Sequence, residues 1–139
     1  MAQYDLLVIG SGPAGQKAAV QAAKLGKTVG IIERKAVVGG VSTNTGTIPS
    51  KALREAVLYL SGFRQRNLYG TGYRLKETIT IEDLAFRANH VIKNEIEIVK
   101  DQMARNQIDL IYGEASFIDP HRLLVQQAGT STEHYAHVI

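Results

Sequence analysis

Apolar positions along this chain fall into runs of two kinds. Tyr4 to Ile9 is a short, nearly continuous apolar run that ends in glycine, the pattern of a strand buried on both faces. Gly10 to Gly15 is a glycine-rich turn. Pro13 to Leu25 follows as an alanine-rich helix, with proline where a first helical turn tolerates it. Ala14, Ala18, Ala22 and Leu25 recur at helical spacing and mark its expected buried face. Gly26 is a helix stop, and Thr28 to Ile32 is a second, β-branched strand with Glu33 at its end. Strand, helix and strand within about thirty residues make a βαβ unit, whose crossover is right-handed by a strong rule.

Beyond it the period changes. Arg34 to Gly46 is a polar, glycine-bearing loop. Ile48 to about Arg66 reads as a long helix with Leu53, Val57, Leu60 and Phe63 as its apolar stripe. Asn67 to Thr78 is a loop. Thr80 then stands as an N-cap, with Asp83 in the reciprocal position three residues on. The helix it opens runs to about Asn106 and offers Leu84, Val91, Ile98 and Met103 to a core. Ile108 to Tyr112, Arg122 to Gln126 and Glu133 to Ile139 read as short strands punctuated by Gly113, Asp119-Pro120 and Gly129. The expected fold is a three-layer α/β core, Rossmann-like, with Tyr4–Ile9 and Thr28–Ile32 adjacent and parallel. A small antiparallel sheet is expected from the last third.

Composition narrows the function classes. The 139 residues are about one domain, with 45% apolar and 21% charged residues. A net charge of +3, scattered among both signs, gives no electrostatic footprint for nucleic acid. There is no cysteine, which excludes a disulfide scaffold, a thiolate metal site and a redox dithiol. The four histidines show no metal-ligand spacing, so no metal is expected. No signal peptide or membrane helix is legible, and a soluble, cytoplasmic protein is expected. The chain stops at His137-Val138-Ile139, inside an apparent strand, so a truncated chain is expected.

Chemistry concentrates in three places. The first is Gly10-Ser11-Gly12-Pro13-Ala14-Gly15. In such a turn the first glycine makes the bend, the second lets backbone approach a pyrophosphate, and the third lets helix and strand pack. The pyrophosphate rests at the helix amino terminus, where free N–H groups and the dipole favour an anion. Glu33 lies eighteen residues after Gly15, placed to accept hydrogen bonds from a ribose diol. Turn, flanking strand, helix and acid together define a dinucleotide site with Arg34 beside it.

The second place is Gly39-Gly40 through Pro49-Ser50-Lys51. Gly39 and Gly40 allow backbone approach to a ligand, Ser42 can donate to a phosphate, and Thr47 to Lys51 opens a helix whose N–H groups can face an anionic or electron-rich ring. Lys51 adds a positive charge there, although a lone helix lysine is usually just solvated. The third is Gly113-Glu114-Ala115, whose small residues suit backbone recognition of a base and equally suit a plain strand end. Tyr69 and Tyr73 read as packing.

The segment from Gly39-Gly40 to Pro49-Ser50-Lys51 resembles the signature of the pyridine nucleotide-disulfide oxidoreductases, and the order of the other motifs resembles that family along essentially the whole chain. Gly12-Pro13-Ala14-Gly15 is similar to the FAD form of the fingerprint. Within the family, Gly46-Thr47-Ile48-Pro49-Ser50-Lys51-Ala52-Leu53-Arg54 most resembles the soluble pyridine nucleotide transhydrogenases. The family's two redox cysteines correspond here to Ser42 and Thr47, which cannot act as a dithiol, so a disulfide reductase is excluded for this chain.

The resemblance implies the amino-terminal part of an FAD-binding domain across residues 1–139. FAD would be held by Gly10, Gly12, Pro13, Ala14, Gly15, Glu33, Arg34, Gly40, Ser42, Thr47, Lys51, Gly113 and Ala115, with Lys51 near flavin N5. It implies hydride transfer from NADPH to NAD in a full-length homodimer or higher homo-oligomer, and an inactive isolated chain. Its second nucleotide-binding unit and dimerisation domain have no counterpart in these residues. Two other readings stay open: another cysteine-free flavoprotein of the dihydrolipoamide dehydrogenase-like fold, and a non-catalytic nucleotide-binding module.

Overall fold

The computed structural model describes residues 2–139. The chain forms two units, one of residues up to Gly40 together with Ile96–Ile139, the other Val41–Glu95. The first unit is built on a six-stranded sheet. Its strands are β1 (Ala2–Ile9), β2 (Val29–Glu33), β3 (Asp109–Tyr112), β4 (Glu114–Asp119), β5 (Arg122–Gln127) and β6 (Thr130–Val138), in the order β3-β2-β1-β6-β5-β4. β1 is parallel to both β2 and β6, with Leu6 opposite Val29 and Tyr4 opposite Ala136. The last three strands are antiparallel. The antiparallel ribbon is therefore not a separate sheet: β6 pairs with β1 and makes it continuous with the parallel part.

Two cores explain why β2 is buried along its whole length. On one side, Val29 and Ile31 pack with Ala19 and Val20 of α1 (Pro13–Lys24) and with Val99 and Met103. On the other, Tyr4, Leu7 and Ile32 pack with Leu123 and Val125 of β5 and Ala136 of β6. The ribbon thus covers the sheet face that α1 leaves open, which gives the three layers expected. The Tyr4 ring crosses the bare Cα of Gly30, where a Cβ would sit 3.2 Å from it, and its hydroxyl donates to Asp109 Oδ2 at 2.9 Å. Burial, then the Asp109 carboxylate, pushes the Tyr4 phenol up to about 12.

The helical unit contains α3 (Thr47–Leu60), a single 3-10 turn at Phe63–Gln65, α4 (Arg66–Tyr69) and the first part of α5 (Ile81–Arg105). The short α2 (Gly40–Asn44) precedes them, inside what the sequence pattern presents as loop. The Thr80 cap forms as expected: Asp83 N–H donates to Thr80 Oγ1 at 3.3 Å and Thr80 N–H donates to Asp83 Oδ2 at 2.9 Å. No helix among the described residues is long and apolar enough to cross a membrane.

Several helix and strand expectations need correction. The buried residues of α1 are Ala19 and Val20, whereas Leu25 is 69% exposed. Seven of the ten positions from Ala14 to Ala23 are alanine, glycine or valine, spread round the helix, so spacing alone does not choose a face. α3 ends at Leu60 rather than Arg66, because Gly62 takes φ +66 and breaks the helix. Its buried residues are Ala52 and Ala56, while Leu53, Val57 and Phe63 point outward. On α5, Met103 is buried as expected but Ile98 is exposed. β4 was not legible as a strand, since most of its residues, Phe117 and Ile118 included, are exposed and it lacks alternation.

Candidate nucleotide site

The three glycines of the Gly10–Gly15 turn have separable reasons. Gly10 adopts φ +100, a region that favours glycine, while its N–H donates to Ile32 O at 2.8 Å. A Cβ on Gly15 would lie 2.1 Å from Gly10 O, so close packing of α1 on the turn requires its absence. Gly12 is different. Its backbone (φ −69, ψ 176) suits any residue, and a Cβ there would meet nothing within 4 Å. The fold does not need a glycine at Gly12.

Gly12 is also the N-cap of α1. It brings no side-chain cap, Pro13 follows at the start of the helix, and the first turn carries no acidic residue. The N–H groups at this end keep their capacity for an anion, with Pro13 and Ala14 exposed beside them. Gly40 crosses close by at φ +63, and a Cβ on it would sit 2.9 Å from Gly12 Cα.

Glu33 ends β2 at 6% exposure. Its Oε2 accepts from Ser11 Oγ at 2.5 Å and from Ser11 N–H at 3.0 Å. Its Oε1 accepts from Lys35 N–H at 3.0 Å. Ser11 Oγ in turn accepts from Gly39 N–H at 3.0 Å, and Gln16 Nε2 donates to Ser11 O at 2.7 Å. Burial pushes the Glu33 carboxyl up. The Ser11 hydroxyl, the N–H groups of Lys35 and Ser11, and the Arg34 charge outweigh it and hold the group below its ordinary value. Glu33 is therefore an ionised acceptor at neutral pH, with one lone pair of Oε1 left for a diol hydroxyl. Ser11 and Gln16 were given no role from the sequence, because the fingerprint leaves their positions variable; Gly39 was marked as a glycine open to a ligand, and its N–H donates to Ser11 Oγ instead.

Residues far apart in sequence meet here. A cavity of about 310 Å³ is walled by Gly10, Glu33, Arg34, Gly113, Glu114 and Ala115. A wider hollow of about 710 Å³ shares Arg34, Gly113 and Glu114 and extends to Lys35, Gln126 and Gln127. Gly113 donates its N–H to Glu33 O at 3.0 Å, and a Cβ on it would meet Val125 Cγ1 at 2.5 Å. Smallness at Gly113 is thus demanded by packing, and it leaves backbone on the cavity wall. This arrangement fits the ADP half of a dinucleotide: an uncapped helix end, an open Cα at Gly12, a buried carboxylate and a backbone-lined wall.

In the helical unit, Ser42 is half-buried in α2. Thr47 is the exposed first residue of α3, after Gly46 as N-cap with no side-chain cap. Lys51 stands one turn further on, exposed, and makes no ion pair among the described residues. It lines a cavity of about 290 Å³ with Glu55, Arg87 and Glu95. Glu55 is engaged by Arg54 at 3.3 Å and Arg64 at 3.1 Å.

A parallel sheet with a glycine turn and an acid at the second strand end defines a dinucleotide-binding protein, and comparison with known proteins carries this further. The FAD dependent oxidoreductase family matches residues 5–127, and the chain belongs to it. The family names the dinucleotide as FAD. Among curated relatives, a soluble pyridine nucleotide transhydrogenase from Mycobacterium bovis is 60% identical over 91% of this chain and 27% of its own length. One from Colwellia psychrerythraea is 39% identical over 94% of this chain and 28% of its own. Among solved structures, the Cu(II) complex of the HOCl-induced flavoprotein disulfide reductase RclA from Escherichia coli superposes with a TM-score of 0.78. It is 29% identical, over 98% of this chain and 27% of that one. The chain spans about a quarter of the length of the proteins it matches.

Proposed function

We propose that this chain is the FAD-binding segment of a soluble pyridine nucleotide transhydrogenase, an enzyme moving hydride from NADPH to NAD by way of the flavin. The amino end of α1, with Gly12, Pro13 and Ala14, takes the pyrophosphate. Gly10 and Gly15 hold that turn in shape. The Glu33 carboxylate accepts from a ribose hydroxyl through its remaining Oε1 lone pair, Arg34 flanks it, and the wall at Gly113 and Ala115 offers backbone groups to the adenine. Gly40, Ser42, Thr47 and Lys51 serve the flavin half: Gly40 by admitting the ligand close to the backbone, Ser42 and Thr47 by donating hydrogen bonds, Lys51 by its charge.

When bound, FAD supplies reversible hydride acceptance; the chain supplies binding, orientation and electrostatics. The absence of cysteine suits this activity, because both nucleotides are hydride carriers and no thiol relay is required. Cytoplasmic location and homo-oligomeric assembly of the enzyme belong to the same reading.

The observation that carries the reading is the Gly12 Cα, open to solvent and unconstrained by the fold, beside the buried carboxylate of Glu33. Titration of the chain with FAD, followed by flavin fluorescence, tests it. Saturable quenching that Gly12→Val removes without loss of helical circular dichroism is expected. Equal binding by both chains would discard the assignment.

A further inference from the structure

β4 is an edge strand of the sheet, and β5 pairs with it so that Glu114 stands opposite Gln126 and Ala115 opposite Val125. Val125 is buried, and Ala115 packs against the same core. Side chains alternate along a strand, so Glu114 and Gln126 stand side by side on the other face. Both are exposed, and neither side chain enters a hydrogen bond or ion pair among the described residues.

Glu114 lines both the cavity beside Glu33 and the wider hollow next to it, and Gln126 lines the hollow. The other charged residues of the hollow are Arg34 and Lys35, whose side chains only donate. Glu114 is its one carboxylate. In the smaller cavity the second carboxylate is Glu33, whose oxygens already accept from the Ser11 hydroxyl and from the N–H groups of Ser11 and Lys35. The free acceptor on this wall is therefore Glu114, with an amide able to donate beside it at Gln126. Adenine presents the complement: its 6-amino group donates, and the neighbouring N7 accepts. A purine with a carbonyl at position 6 would set a lone pair against the Glu114 carboxylate, and such a clash discriminates as strongly as a contact attracts.

We infer that Glu114 and Gln126 read the base of the nucleotide, Glu114 selecting the 6-amino group of adenine and Gln126 donating to N7. The inference rests on the FAD reading and adds to its backbone contacts at Gly113 and Ala115 the side chains that decide which purine the site takes.

Isothermal titration calorimetry with ADP and with inosine 5′-diphosphate tests it, since the two differ only along the N1–C6 edge of the base. The chain is expected to bind ADP about thirtyfold more tightly. Glu114→Gln, whose amide can face an amine or a carbonyl, is expected to bring that ratio to about threefold or below. Gln126→Ala is expected to weaken both nucleotides about fivefold and to leave the ratio unchanged, because N7 is common to both. Loss of fold would not produce these different outcomes, and circular dichroism of both variants checks it. Equal affinity of the wild-type chain for the two nucleotides overturns the inference. So does a preference that survives Glu114→Gln, which would give the discrimination to the β4 backbone and leave the FAD reading standing. A Gln126→Ala chain that binds both as tightly as wild type overturns the part of Gln126. A chain that binds neither these nucleotides nor FAD overturns the FAD reading together with the inference.

Discussion

The Ser11 hydroxyl donates to Glu33 Oε2 at 2.5 Å, tying the residue after the first glycine of the turn to the acid at the end of β2. The same hydroxyl accepts from Gly39 N–H at 3.0 Å, so one buried oxygen joins the turn, the strand end and the loop beyond it. Ser11 is 1% exposed, and no solvent stands in for it. Ser11→Ala removes a hydrogen bond to a buried carboxylate and strands the Gly39 N–H. A loss of about 1.5–3 kcal/mol is expected, read as a lower urea midpoint with an unchanged slope.

Stability should fall in acid, and the sign follows from Glu33. Burial raises its pKa, but the Ser11 hydroxyl, the two N–H donors and Arg34 bring it below the ordinary value. A carboxylate with a lowered folded-state pKa contributes stability that is fully present above its unfolded value, near about 4.3. That stability is lost as pH falls from there through the lower folded value. Glu33→Gln is expected to lower the melting temperature at pH 7 and to flatten its decline below pH 5. A variant whose acid limb parallels that of the wild type would remove Glu33 as its source.

Gly12 and Gly15 should separate binding from folding. Gly12→Ala meets open space in an ordinary backbone conformation, so unfolding is expected to change by less than about 0.5 kcal/mol while FAD affinity drops. Gly15→Ala puts a methyl 2.1 Å from Gly10 O and forces α1 off the turn, at a cost above about 3 kcal/mol. Denaturation and flavin titration of both variants would show the two effects uncoupled.

How much of this was legible in the sequence depends on whether the reason was local. Gly10, Gly15 and Glu33 carry theirs within one βαβ unit, so spacing located them. The meeting of Glu33 with Gly113–Ala115 was not readable from periodicity. β3 returns to lie beside β2 after a long helical excursion, and Gly113 then donates to Glu33 O. Buried faces were misread where alanine dominates: α3 tucks Ala52 and Ala56 inward and leaves Leu53 and Val57 outside. Hydrophobicity counts favour the larger side chains, whereas close helix packing here takes the smaller ones. The Ser11–Gly39 link lay beyond reach for a plainer reason, since a hydroxyl at a variable motif position announces no partner.

Lys51 offers the sharpest test of the proposed chemistry. It stands exposed in the second turn of α3, with no ion pair among the described residues, while its neighbour Glu55 is held by Arg54 and Arg64. Lys51→Met should keep FAD bound, because the proposed pyrophosphate and ribose contacts are at Gly12 and Glu33. In an intact transhydrogenase carrying this segment, it should slow reduction by NADPH. Shut beneath a bound ring, the lost charge costs on the order of 2–4 kcal/mol, roughly 30- to 1000-fold in rate. Left in solvent, it costs less than about 1 kcal/mol. Stopped-flow reduction distinguishes the two, and the larger effect is expected. Rates within a few-fold of wild type would return Lys51 to the solvated lysines and leave the flavin half of the site to Gly40, Ser42 and Thr47.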